Sequence, residues 1–93
     1  MKIETFTNVW EALGESHEDA ANLHAHAELV LAIENRIKTS GWTQKEAAER
    51  LKVKQPRMSE LFNGKIDLFS IDQLVNFLSR LGLRMDMHIE KAA

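Results

Sequence analysis

Residues 43–65 read TQKEAAERLKVKQPRMSELFNGK, and this stretch decides the fold. Thr43, followed three residues later by Glu46, is the signature of a capping box. It opens a helix through QKEAAERL, in which Ala47, Ala48 and Leu51 take the inward positions. A break of only a few residues follows, where Lys52 and Lys54 flank the apolar Val53. A second helix then starts at about Gln55, with Pro56 in the first turn, where a missing N–H costs nothing. Met58, Leu61 and Phe62 form its apolar side, and Asn63 and Gly64 stop it. Two short helices joined this tightly over residues 43–64 have helix-turn-helix geometry.

The flanks supply what this pair needs to pack against. Upstream, residues 17–40 contain almost no helix breaker, and Leu23, Ala27, Val30, Ile33 and Ile37 recur at helical spacing, with Leu29 and Leu31 widening the stripe. Gly41 ends this long helix. Trp42, just before the cap Thr43, suits a hydrophobic staple that holds the motif in place. Downstream, Ser70 and Gln73 cap IDQLVNFLSRLG, whose Ile71, Leu74, Val75, Leu78 and Leu81 face inward and whose Gly82 is the C-cap. Beyond Gly82 the period changes to two: Leu83, Met85, Met87 and Ile89 alternate with Arg84, Asp86, His88 and Glu90. The alternation predicts a C-terminal strand over 84–90, which requires a partner ladder from residues 2–6, a second copy or another protein. At the other end, Phe6, Val9, Trp10 and Leu13 share one helical face, a short helix ended by Gly14 within an N-terminal extension over 1–18. The expected fold is a single domain over 1–93, mainly all-α, with a short N-terminal helix and a C-terminal strand.

The 93 residues carry a formal charge of -2, which hides a reversal of sign along the chain. Residues 1–35 hold Lys2 against seven acidic residues (Glu4, Glu11, Glu15, Glu18, Asp19, Glu28, Glu34). Residues 36–65 hold eight basic residues (Arg36, Lys38, Lys45, Arg50, Lys52, Lys54, Arg57, Lys65) against Glu46, Glu49 and Glu60. The positive segment coincides with the helix pair, as a polyanion-binding module requires.

A helix that enters the major groove of DNA reads bases with polar side chains near its N-terminal half, while its neighbour crosses the backbone. Gln55, Arg57, Ser59 and Glu60 are the candidate base contacts. Arginine pairs bidentately with guanine O6 and N7, glutamine with adenine N6 and N7, and a glutamate accepts from cytosine N4. Gln44 opens the first helix of the pair, where free N–H groups and the positive dipole end suit a phosphate. Lys45, Lys52, Lys54 and Lys65 are the further backbone candidates.

Residues 43–65 resemble the helix-turn-helix of the Cro and phage-repressor (XRE) superfamily, which implies a lambda-repressor-like fold and DNA binding. NVWEALG (8–14), the long helix before Gly41, LFSIDQLVNFLSRLG (68–82) and RMDMHIE (84–90) extend the resemblance to the small HigA-type antitoxins, over about 80 residues of the chain. That branch implies a dimeric repressor of its own promoter, binding an operator with dyad symmetry and neutralising a small basic mRNA-cleaving toxin of the HigB/RelE-like type. The resemblance matches Gln44 to a phosphate or base contact, and Gln55, Arg57 and Ser59 to exposed recognition positions. Lys54 departs from it, because relatives often carry a small capping Ser or Thr there. Phe6 and Trp10, on an acidic segment, are the candidate toxin contacts, and packing against the long helix or in a dimer is the competing role. A stand-alone XRE-family regulator without a toxin, and a protein adaptor that binds no DNA, are the alternatives.

Other chemistries are disfavoured. No cysteine is present, which excludes a disulfide framework, a thiolate zinc site and a cysteine nucleophile. His24 and His26 are two apart on a helix, about 200° round its axis, and His17 and His88 complete no spaced motif. No metal, cofactor or enzymatic activity is expected, since no nucleophile motif or glycine-rich phosphate loop is present. No apolar run is long enough for a membrane span, and MKIETF lacks the pattern of a secretion signal, so a cytoplasmic location is expected.

Overall fold

Four α-helices and one 3-10 turn make up the computed structural model, which describes residues 17–91. The long helix α1 (His17–Ser40) has Glu18 and Asp19 in its first turn and Lys38 in its last, charges that suit the two ends of its dipole. It ends at Gly41, whose φ of +72° is a left-handed conformation that favours glycine. The capping box of Thr43 is formed: its Oγ1 accepts from the Glu46 N–H at 3.1 Å, and its own N–H donates to Glu46 Oε1 at 3.1 Å. It starts α2 (Gln44–Leu51), and α3 (Gln55–Phe62) follows after three residues. A 3-10 turn (Ile66–Leu68) leads to α4 (Ile71–Arg80), which a second capping box opens. There Gln73 N–H donates to Ser70 Oγ at 3.1 Å, and Ser70 N–H donates to Gln73 Oε1 at 2.9 Å.

The core lies where α1 and α4 face the helix pair. Ile33 and Ile37 from α1, Ala47 and Leu51 from α2, Met58 and Leu61 from α3, and Leu74 and Leu78 from α4 are all buried in one cluster. Most of the inward positions expected from spacing are buried, with Leu23, Phe62, Ile71 and Val75 partly so. The spacing did not identify Ile66, Phe69 and Phe77, which are buried too. Phe69 and Phe77 meet edge to face with ring centroids 6.0 Å apart, closing the core beneath the 3-10 turn.

Three chain reversals share one hydrogen-bond pattern. After α2, Val53 N–H donates to Ala48 O; after α3, Lys65 N–H donates to Glu60 O; after α4, Leu83 N–H donates to Leu78 O. Each is the six-to-one bond of a Schellman ending, which needs a left-handed residue at the turn. Gly64 and Gly82 supply it twice, both at φ +76°, and Lys52 supplies it once at φ +58°.

The expected fold needs one correction. No strand forms among the described residues, so the architecture is all-α and residues 84–90 belong to no helix or strand. Met85, Met87 and Ile89 are 40%, 70% and 82% exposed, and the face that the alternation assigned to a core stays largely open. The reason is the missing pairing edge: alternation marks a two-faced segment, but a strand exists only where another backbone satisfies its N–H and C=O groups. The expected short N-terminal helix lies outside the described residues. Among the described residues no helix is long and apolar enough to cross a membrane.

Candidate nucleic-acid interface

The two ends of the helix pair set out the basic and polar side chains differently. At the start of α2, Gln44 and Lys45 are exposed beside the first-turn amides, and the capping box leaves that helix end well formed. The capping bonds hold the Glu46 carboxyl below its usual range, chiefly through the Thr43 backbone N–H and then its hydroxyl. At the turn, Lys52 is exposed on its left-handed backbone and Lys54 is the N-cap of α3. Lys54 is extended (φ -77°, ψ 153°) and makes no side-chain capping bond, because an ammonium donates and cannot accept from the helix amides. Pro56 has no N–H and the Arg57 N–H donates to Lys54 O at 3.0 Å, so in the first turn of α3 the Gln55 N–H is the one left for a phosphate oxygen. Lys65 is exposed just after Gly64. Gln44, Lys45, Lys52, Lys54 and Lys65 thus all reach the surface.

The expected base contacts divide into two kinds. Gln55 is exposed at the first position of α3. Ser59 is half-buried and accepts from Asn63 Nδ2 at 3.4 Å, one turn on. Arg57 and Glu60, by contrast, are joined to each other and to the fold. Arg57 Nη1 lies 3.4 Å from Glu60 Oε2, and Nη2 donates to the carbonyl oxygen of Leu68 at 2.7 Å. The guanidinium also lies over the Phe69 ring, 4.0 Å from its centroid. With Met58 and Leu61 buried, the open side of α3 is left to Pro56, Ser59, Glu60 and Asn63, with Gln55 and Arg57 at its flanks.

A second group of arginines supports the helix pair from the side. Arg36 Nε donates to Leu81 O at 3.2 Å, and Arg80 Nη1 donates to Leu51 O at 2.7 Å. Both carbonyls lie at helix C-termini, where positive charge is favoured. Trp42 lies under the guanidiniums of Arg50 and Arg36, at 4.1 Å and 5.8 Å from its ring centroid. It is partly buried against the core, as a staple residue would be, and its cationic neighbours were not foreseen from spacing. Their only sequence signal is the density of arginine near helix ends. Phe6 and Trp10, the expected toxin contacts, lie outside the described residues. Among the described residues no group of three or more His, Asp or Glu side chains is arranged to hold a metal.

The chain matches the helix-turn-helix domain family over residues 12–90. It is similar to a solved structure whose name assigns it to the XRE family of transcriptional regulators. The two are 31% identical with a TM-score of 0.74, and the match covers 80% of this chain and 83% of that one. No curated protein matches the chain. The paired helices, the match over most of the sequence and the shared architecture lead to one conclusion: this chain belongs to the XRE/Cro-type helix-turn-helix superfamily, a family of DNA-binding transcriptional regulators rather than enzymes.

Proposed function

We propose that the protein is a sequence-specific regulator of transcription, acting as a repressor on double-stranded operator DNA, with α3 laid in the major groove and α2 across the backbone. The observation that carries this reading is the coincidence of a polar face on α3, with Gln55 exposed and Arg57, Ser59 and Glu60 half-buried, with exposed lysines at both ends of the helix pair. Base edges are read from α3, whose candidate contacts are Gln55, Arg57, Ser59 and Glu60. Gln44, Lys45, Lys52, Lys54 and Lys65 contact phosphates and fix the register. Two copies acting as a homodimer present their α3 helices to successive major grooves, about 34 Å apart on one side of the duplex.

The test is binding to the protein's own upstream DNA at several salt concentrations, with light scattering of the bound and free protein. Specific binding by a dimer, with log affinity falling linearly in log salt, supports the reading. Absence of binding even at low salt overturns it in favour of a protein adaptor.

A stand-alone regulator needs nothing beyond this face, and it is the simpler account. The antitoxin reading adds autoregulation and a small basic toxin held by Phe6, Trp10 and the acidic N-terminal residues. Its support is the resemblance of residues 8–14 and 68–90 to HigA-type antitoxins. Stoichiometric recovery of a small basic protein with the tagged chain from its native cells separates the two, and recovery of the homo-oligomer alone favours the stand-alone regulator.

A further inference from the structure

Arginine at the front of a recognition helix invites the simplest assignment, a bidentate contact to guanine. That contact needs two parallel N–H groups directed at O6 and N7. In this chain both terminal nitrogens of Arg57 are engaged, Nη2 by Leu68 O at 2.7 Å and Nη1 by Glu60 Oε2 at 3.4 Å. The face of the guanidinium rests on Phe69, a residue of the buried core. Reading guanine would require leaving a short charge-assisted bond and a stacked ring together.

The pair is also unequal. Arg57 is anchored at three points, two of them in the loop that follows α3, whereas Glu60 meets Arg57 through Oε2 alone. Its other oxygen, Oε1, takes no hydrogen bond among the described residues. Arg57 is therefore the fixed member, and it sets where the carboxylate sits. Arg57 lies about 100° round the helix from the buried Met58 and Glu60 about 200°, which sets the glutamate nearer the side opposite the core, although both side chains are half-buried, 30% and 32% exposed. A carboxylate facing DNA is repelled by phosphates, and a guanidinium alongside offsets that repulsion.

Resting on the DNA-binding reading above, we propose that Arg57 is a positioning residue and that Glu60 is the specificity-determining one, its Oε1 accepting a hydrogen bond from the N4 amino group of a cytosine. Arg57 holds the carboxylate in place, neutralises part of its charge and fastens the first turn of α3 to the 3-10 turn. The carboxylate then favours cytosine at one operator position: guanine and thymine present only acceptors to it, and adenine's N6 donor lies beside its N7 acceptor, which repels the carboxylate.

The experiment is selection of bound sequences from a randomised duplex library by the native chain, R57A, R57K, E60Q and the R57A/E60Q double variant, with thermal melts of each. The expected result is that E60Q loses about tenfold of its preference at one cytosine position, and that R57A and R57K relax that same position. The double variant should relax it no further than either single one. If R57A relaxes a different base pair from E60Q, Arg57 reads its own base and the inference is overturned. If E60Q keeps the native preference at every position, it is overturned as well, and this arm decides even where R57A melts too low to bind. Failure of the native chain to enrich any sequence overturns the sequence-specific reading itself, and this inference with it.

Discussion

Arg80 Nη1 donates to the carbonyl oxygen of Leu51 at 2.7 Å, tying the last turn of α4 to the C-terminal end of α2. The two residues are 29 apart in sequence, and the bond links the end of α2 to α4. Arg80 is exposed, so water competes for the guanidinium. Replacing it by alanine should cost about 1 kcal/mol of stability, below the about 1.5 to 3 kcal/mol of a hydrogen bond to a charged group because of that competition. Urea unfolding with an unchanged slope and a lower midpoint would match this, and an unchanged midpoint would show that water replaces the bond fully.

Lys52 holds φ +58° in a turn where the two equivalent positions are glycine. A non-glycine residue there carries a left-handed strain of about 1 kcal/mol, and the exposed ammonium sits beside the start of the recognition helix. Lys52→Gly should raise stability by about 0.5 to 1 kcal/mol while lowering the magnitude of the salt slope of DNA binding by about one unit. Stability and affinity moving in opposite directions is the discriminating result. A gain in stability with the salt slope unchanged would take Lys52 out of the interface.

The carboxyl of Glu46 has a lowered pKa because it accepts from the Thr43 backbone and hydroxyl. A carboxyl depressed in the folded state adds stability that is present above its unfolded pKa and is lost as pH falls through the folded one. The capping box should therefore weaken on acidification below about pH 4.5, the ordinary value for a glutamate. Glu46→Gln should remove that part of the acid dependence in melts recorded from neutral to acidic pH. Thr43→Ala removes the hydroxyl acceptor and should cost about 1 kcal/mol at neutral pH.

Gln55 and Leu74 separate contact from folding. Gln55 is exposed, and Gln55→Ala should leave the melting temperature unchanged while weakening operator binding by about 1 to 3 kcal/mol, with little effect on random DNA. Leu74 has no exposed surface, and Leu74→Ala should cost about 2 to 5 kcal/mol of stability. Its loss of binding should follow the folded fraction and affect operator and random DNA alike. Equal losses on the two DNAs from Gln55→Ala would reassign that side chain to the backbone.

Local chemistry made the helices legible in advance. Thr43 with Glu46 and Ser70 with Gln73 announce their own helix starts, because each box closes within four residues and needs no distant partner. Gly64 and Gly82 mark their turns for the same reason, and the inward face of α2 follows from spacing alone, whereas in α4 spacing misses the buried Phe77. The 3-10 turn was harder to read: Ile66 and Phe69 lack a long periodic context, and their burial depends on where α1 and α4 converge. Which candidate side chains reach the surface was legible at Gln44, Lys45 and Gln55.

By itself the sequence determined the helix pair, its caps, its polar front and the positive charge around it, since all of these rest on residues within a few positions of one another. Only the tertiary structure decided the fate of Arg57, because the carbonyl and ring that hold it arrive from Leu68 and Phe69 across the loop after α3. It decided the C-terminal segment too. Leu83, Met85, Met87 and Ile89 carry the alternation of a strand, but alternation is a property of one chain segment and a strand is a property of two.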